Sequence, residues 1–180
     1  QLVFGNEQLG LDLLEREDDK FANAPDVERF LVEGTTSYAG PWMLFGKPAW
    51  NEWGNLTQHL RQPKSEQKVL GKYDDSFTVE RAREYHAATY SIGMGAARRF
   101  HKQVDLTGRT RIMDLGGGSG CYCITAANTY PEMTAVVLDL PSVAVVAREF
   151  IAEHNVQDRV TAEPCDFTAD ALPTDTDVAI

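Results

Sequence analysis

Eight residues in the middle of the chain, Met113-Asp114-Leu115-Gly116-Gly117-Gly118-Ser119-Gly120, concentrate the chemistry that the sequence offers. Ile112 to Leu115 reads as a short buried strand, after which the glycines let the backbone turn sharply and approach a ligand with no Cβ in the way. A dinucleotide fingerprint needs Gly116-x-Gly118-x-x-Gly or Ala, so that a third small residue packs the following helix onto the strand, and position 121 is Cys. Shifted by one, the pattern is Asp114-x-Gly116-x-Gly118-x-Gly120, with an acid just before the loop. That suits a ligand with a cationic amino group better than a pyrophosphate, and so S-adenosylmethionine better than NAD.

Asp139 stands 19 positions after Gly120, one strand later. A carboxylate there has two acceptor oxygens for the two adjacent hydroxyls of a ribose. The competing role is a cap on the next helix, whose first turn holds Pro141; its pairing with the glycine loop favours ribose. Leu140 would add an apolar wall for adenine. Asp166-Phe167 ends a third strand, where a carboxylate could accept from the adenine amino group and an aromatic ring could cover its face. Asp at a strand end is also an ordinary turn residue. Cys121, Cys123 and Cys165 lack metal-ligand spacing, and no metal is expected. A thiol at the head of a helix could have a lowered pKa, but packing is the better reading and the cysteines are given no chemistry.

These groups need elements to position them. From Arg111 onward the chain alternates strand and helix: Ile112–Leu115, the glycine loop, a helix over 122–129, a strand over 135–138, and a helix opened by Pro141 and running to about His154. A strand over 160–163 follows, and a fourth starts at Asp177. Strict alternation predicts a parallel sheet with right-handed crossovers and a ligand at the carboxyl ends of its strands, where Asp114, Asp139 and Asp166 all fall. Before it, Ala82, Tyr85, Thr89, Ile92, Ala96, Phe100 and Val104 recur at helical spacing, predicting a helix over 78–104 with that face inward. Residues 64–75 read as a polar connection. Residues 38–53 hold all three Trp of the chain, as pocket, partner surface or plain core. Glu15 to Asp19 reads as an acidic turn, ahead of a helix with Pro25 in its first turn.

The 180 residues allow one sizeable core, and the net charge of -10 argues against nucleic acid as a partner. Arg98-Arg99-x-x-Lys102 reads as a solvated helix face. No run of apolar residues reaches membrane-spanning length and the N-terminus does not read as a signal sequence, so no membrane partner and a cytoplasmic setting are expected. The start at Gln1 and the strand just beginning at the end predict a piece of a longer chain.

Asp-Leu-Gly-Gly-Gly-Ser-Gly (114–120), Leu138-Asp139-Leu140-Pro141-Ser142-Val143, Asp158-Arg159-Val160 and Cys165-Asp166-Phe167 together resemble the successive motifs of the class I S-adenosylmethionine-dependent small-molecule O-methyltransferases, of plant caffeate type and bacterial hydroxyindole type. The resemblance implies an α/β fold. Residues 77–180 would form the first four strands of a Rossmann-like domain, preceded at 1–76 by part of a winged-helix dimerisation region and its connector, with a helix from Trp50 to Leu60. It implies that Asp114, Gly116, Gly117, Gly118 and Gly120 surround the methionine part of the cofactor, that Asp139 and Leu140 meet the ribose and adenine, and that Asp166 and Phe167 flank the adenine. Two departures are Thr89, where the family often has Met, and Cys165, where it usually has Gly. The implied activity is methyl transfer to a hydroxyl of a small aromatic acceptor in a homodimeric protein. The family's general base is a His after the fourth strand, so His59, His86, His101 and His154 are expected as surface or helix-face residues, and no catalytic residue is named. The alternatives are an NAD-dependent oxidoreductase with an irregular glycine loop, and a truncated homologue that binds cofactor or dimerises without turnover.

Overall fold

The computed structural model of the chain describes residues 11–61 and 77–180, so the polar connection expected at 64–75 lies outside the described residues. The first elements are an antiparallel hairpin, β1 (Leu14–Glu17) and β2 (Lys20–Asn23), and helix α1 (Pro25–Phe30) with Pro25 in its first turn. The acidic run expected as a turn is mostly strand. Only its end turns, where Asp18 adopts φ 54, a left-handed conformation that aspartate tolerates.

Short helices follow: α2 (Gly40–Phe45), a 3-10 turn at Lys47–Ala49, α3 (Trp50–Gly54) and α4 (Leu56–Arg61). The single helix expected from Trp50 to Leu60 is thus broken at Asn55, which follows Gly54 and has φ -96 and ψ 8, consistent with the weak helix propensity of both residues.

Helix α5 (Val79–Gln103) starts at Thr78, whose hydroxyl accepts from the Arg81 amide. Its inward face is only partly the expected one: Ala82 is buried and Phe100 packs on the core, but the rest of the stripe is turned away from it. The buried residues are Ala82, His86, Ala88, Ala97 and His101, while Ile92 is 41% exposed. Close approach to the neighbouring helix sets this phase: a Cβ added to Gly93 would lie 2.9 Å from Cys121 Sγ, so a larger residue could not sit there.

The second half is the expected alternation: β3 (Arg111–Leu115), α6 (Cys121–Thr129), β4 (Thr134–Asp139), α7 (Pro141–Glu153), β5 (Val160–Pro164) and β6 (Val178–Ala179). The four strands form one parallel sheet in the order β5-β4-β3-β6. Central strand β4 is apolar on both faces, as a strand covered from both sides must be. Ala135 and Val137 pack with Ile112, Ile124, Ile151 and Val160, whereas Val136 and Leu138 pack with Met113 and Cys165 on the other side. Among the described residues, no helix is long and apolar enough to cross a membrane.

Candidate functional site

Register decides what meets at the sheet edge. Asp139, the last residue of β4, pairs with Pro164 of β5, and Leu115, the last of β3, pairs with Leu138. The chain leaves each strand still tethered, because the Gly116 amide donates to the Leu138 carbonyl at 2.8 Å and the Cys165 amide to the Asp139 carbonyl at 2.9 Å. Gly116, Asp139 and Asp166 therefore emerge side by side.

Between them and α5 lies a cleft of about 850 Å³. Of the residues singled out in the sequence, Gly116, Gly117, Gly118, Asp139, Leu140, Asp166 and Phe167 line it. Asp114 and Gly120 do not. Strand alternation puts Asp114 on the same face as Ile112, under the loop, where it is 4% exposed and its Oδ2 is 4.0 Å from Cys123 Sγ. A Cβ on Gly117 would come within 2.7 Å of the Asp114 carboxyl carbon and 2.9 Å of Val137 Cγ1, so the loop can settle on this carboxyl only as glycine. Burial, helped by the charge of Asp139, pushes the Asp114 pKa up to about 6.

Asp139 is built differently. Its Oδ2 accepts from the Gly118 amide at 2.8 Å and its Oδ1 from the Leu140 amide at 2.7 Å. It is not the cap of α7, which begins after Leu140 with no side-chain cap bond. Each carboxylate oxygen still has acceptor capacity toward the cleft. Asp166 makes a tight turn, its Oδ1 accepting from the Thr168 amide at 3.0 Å and hydroxyl at 2.5 Å, and these bonds hold its pKa below the usual carboxylate range. Phe167 is 49% exposed, with its ring edge 3.9 Å from where a Gly116 Cβ would be.

The cleft also takes in Trp42, Tyr85, His86, Thr89, Ser119, Cys121 and Tyr122. The sequence already pointed to Thr89, whose hydroxyl is spent on the Tyr85 carbonyl at 3.1 Å. His86 was missed. His86 and His101 are helix-face residues of α5, and the face they occupy is buried, at 8% and 9% exposed. The signal was there, since His86 is one helical turn before Thr89 and shares its face. The His86 ring packs edge-on against Tyr85 and lies so close to Gly118, at φ 57, that a Cβ there would be 2.8 Å from its Cε1. Among the described residues neither of its ring nitrogens has a hydrogen-bond partner. Burial pushes its pKa down, with Asp139 opposing, so the ring is neutral near pH 7. Of the others, His101 Nε2 donates to the Tyr122 carbonyl at 3.1 Å, His154 pairs with the Tyr90 hydroxyl and His59 faces Glu52.

The three cysteines are buried, and burial raises the pKa of Cys121 and, further, of Cys123, so any lowering at the helix start is outweighed. Among the described residues no group of three His, Cys, Asp or Glu is placed to hold a metal. A second hollow of about 630 Å³, at Trp50, Asn51, Trp53, Gly54 and Asn55, has no ionisable group in its lining.

A family model described as an O-methyltransferase domain matches residues 53–180. The chain is 29% identical over 171 residues to the N,N-dimethyltransferase OxyT of Streptomyces rimosus, covering 92% of this chain and 50% of that protein. It is 29% identical over 172 residues to the 3-hydroxy-5-methyl-1-naphthoate 3-O-methyltransferase of Streptomyces sahachiroi, covering 94% and 50%. Among solved structures, the N,N-8-amino-8-demethyl-D-riboflavin dimethyltransferase RosA of Streptomyces davawensis is 28% identical with a TM-score of 0.64, over 96% of this chain and 54% of that one. The chain thus spans about half the length of the curated relatives it matches.

Proposed function

Given that the chain belongs to the O-methyltransferase domain family, we propose that its cleft binds S-adenosylmethionine and serves methyl transfer to a hydroxyl of a small aromatic molecule. One observation carries this reading: Asp139 stands at the end of β4 with both oxygens anchored on backbone amides and still able to accept, facing a loop that only glycines could form. That carboxylate fits a ribose diol, and the cleft at about 850 Å³ has room for a nucleoside carrying an amino acid.

S-adenosylmethionine supplies an electrophilic methyl group on a sulfonium. The residues of this chain bind and orient: Asp139 takes the ribose hydroxyls, Leu140 and Phe167 wall the adenine, Asp166 accepts at its edge, and Gly116 to Gly118 give the amino-acid end close access to backbone. Asp114 and Gly120 support that loop from beneath. What the protein contributes to rate in such a transfer is alignment and removal of the hydroxyl proton. The resemblance assigns the proton's removal to a histidine following the fourth strand, so His59, His86, His101 and His154 are given no such role. The reading includes a division near residue 76, a homodimer and a cytoplasmic setting. The dimer is supported by exposed Trp50 and Trp53, at 77% and 69%.

Calorimetric titration with S-adenosylhomocysteine and, separately, NADH tests the cofactor. We expect binding of the first, weakened in Asp139→Ala by about 2–4 kcal/mol, the loss of two charge-assisted bonds. Binding of NADH alone would overturn the reading. Two of the three named relatives act, by their names, on nitrogen, so methyl transfer from labelled cofactor is to be measured on a phenol and an aniline in parallel, with the phenol expected to be the substrate.

A further inference from the structure

We infer that His86 is a cofactor-positioning residue that holds the amino-acid end of the methyl donor through its neutral imidazole. The inference rests on the cofactor reading above and deepens it.

The amino-acid end of the cofactor is the polar part that the glycine loop must accommodate, yet the loop's own acid does not reach the cleft, because Asp114 lies beneath Gly117. Of the other polar side chains on that wall, Asp139 is committed to the ribose, the Thr89 hydroxyl to the Tyr85 carbonyl, and the Ser119 hydroxyl sits 3.2 Å from Cys121 Sγ. His86 is left. It reaches across from α5 to touch Gly118, at the heart of the loop, and both its nitrogens lack a partner among the described residues.

The His86 nitrogens open onto the cleft rather than being sealed in the core, so a ligand that closes over them must replace the water there with hydrogen bonds of its own. The chemistry matches: a neutral imidazole has one N–H donor and one lone-pair acceptor on opposite sides of the ring, so the nitrogen that faces the loop can either donate to the carboxylate or accept from the ammonium of a zwitterionic amino acid, according to its tautomer. Gly118 is then required twice over, by its φ of 57 and because any side chain would displace the ring.

The test compares S-adenosylhomocysteine with 5′-methylthioadenosine, which keeps the nucleoside and lacks the amino-acid end. In His86→Phe we expect S-adenosylhomocysteine to bind roughly tenfold to a hundredfold more weakly, with 5′-methylthioadenosine changed by less than about twofold. Equal weakening of both, or of neither, would overturn the inference by reducing His86 to a wall. A second measurement uses the unaltered protein: the ring-nitrogen NMR shifts of His86 should move on adding S-adenosylhomocysteine and stay in place with 5′-methylthioadenosine. Identical responses to the two sink the inference even where the Phe variant does not fold. If the unaltered protein binds neither compound, the cofactor reading itself fails, and that outcome is distinct from a selective failure at His86.

Discussion

Asp114 and Asp139 are aspartates at the ends of neighbouring strands, and strand geometry gives them opposite situations. Asp139 ends its strand and keeps solvent-facing acceptor capacity, while Asp114 is inside the pleat, two residues after Ile112 and on the same side. Its pKa of about 6 in the folded protein against 3.8 for the free side chain means that the folded state holds this proton more tightly than the unfolded one. The stabilisation from the proton is complete below the unfolded value and is lost as pH rises through the folded one. Asn at this position stays neutral throughout, so Asp114→Asn should gain on the original protein between pH 4 and pH 8, by roughly 3 kcal/mol at most. Thermal melts across that range check it, and a stability difference independent of pH would show that Asp114 titrates normally. The sequence made the glycines and Asp139 legible, because loop length and strand spacing fix them. It grouped Asp114 with the glycines because their adjacency in sequence hides the alternation that turns its side chain under the loop.

At the scale of elements, the strands were easy to read and the face of α5 was not. Strand order and direction follow from βαβ alternation, whereas counting apolar residues selected a stripe through Ile92 and Ala96. The helix kept Ala82 inward but turned on Gly93 and Ala97, which permit close packing, and carried His86 inward with them. Apolar counts do not register a glycine contact or a buried imidazole. Helix α7 has the complementary task. Ile151, 2% exposed, reaches the underside of the glycine loop, its Cγ1 3.9 Å from where a Gly120 Cβ would lie. Ile151→Ala should therefore cost about 2–5 kcal/mol of stability. Urea denaturation reads that loss, and Val145→Ala on the same helix, 36% exposed, is the control expected to change little. A small loss at Ile151 would mean that the loop is supported from elsewhere.

On the whole-molecule scale, apolar surface is unevenly spread. Met43, Leu44, Trp50, Trp53 and Leu60 are all more than 60% exposed and fall within one stretch of the chain, while the sheet and its helices bury their apolar side chains. The proposed homodimer makes a demand on that stretch: the double change Trp50→Glu and Trp53→Glu should shift sedimentation toward the monomer while leaving S-adenosylhomocysteine binding intact. Unchanged sedimentation would place the dimer contact elsewhere. The tethering of the sheet edge reaches further than the site. Because the amides of Gly116 and Cys165 are bonded to β4 itself, the first residue of each ligand-facing loop continues the ladder and opens only with the strand pairs. A ligand held there is thus a ligand of the paired strands, and by mass action its binding energy is returned as resistance to their unfolding.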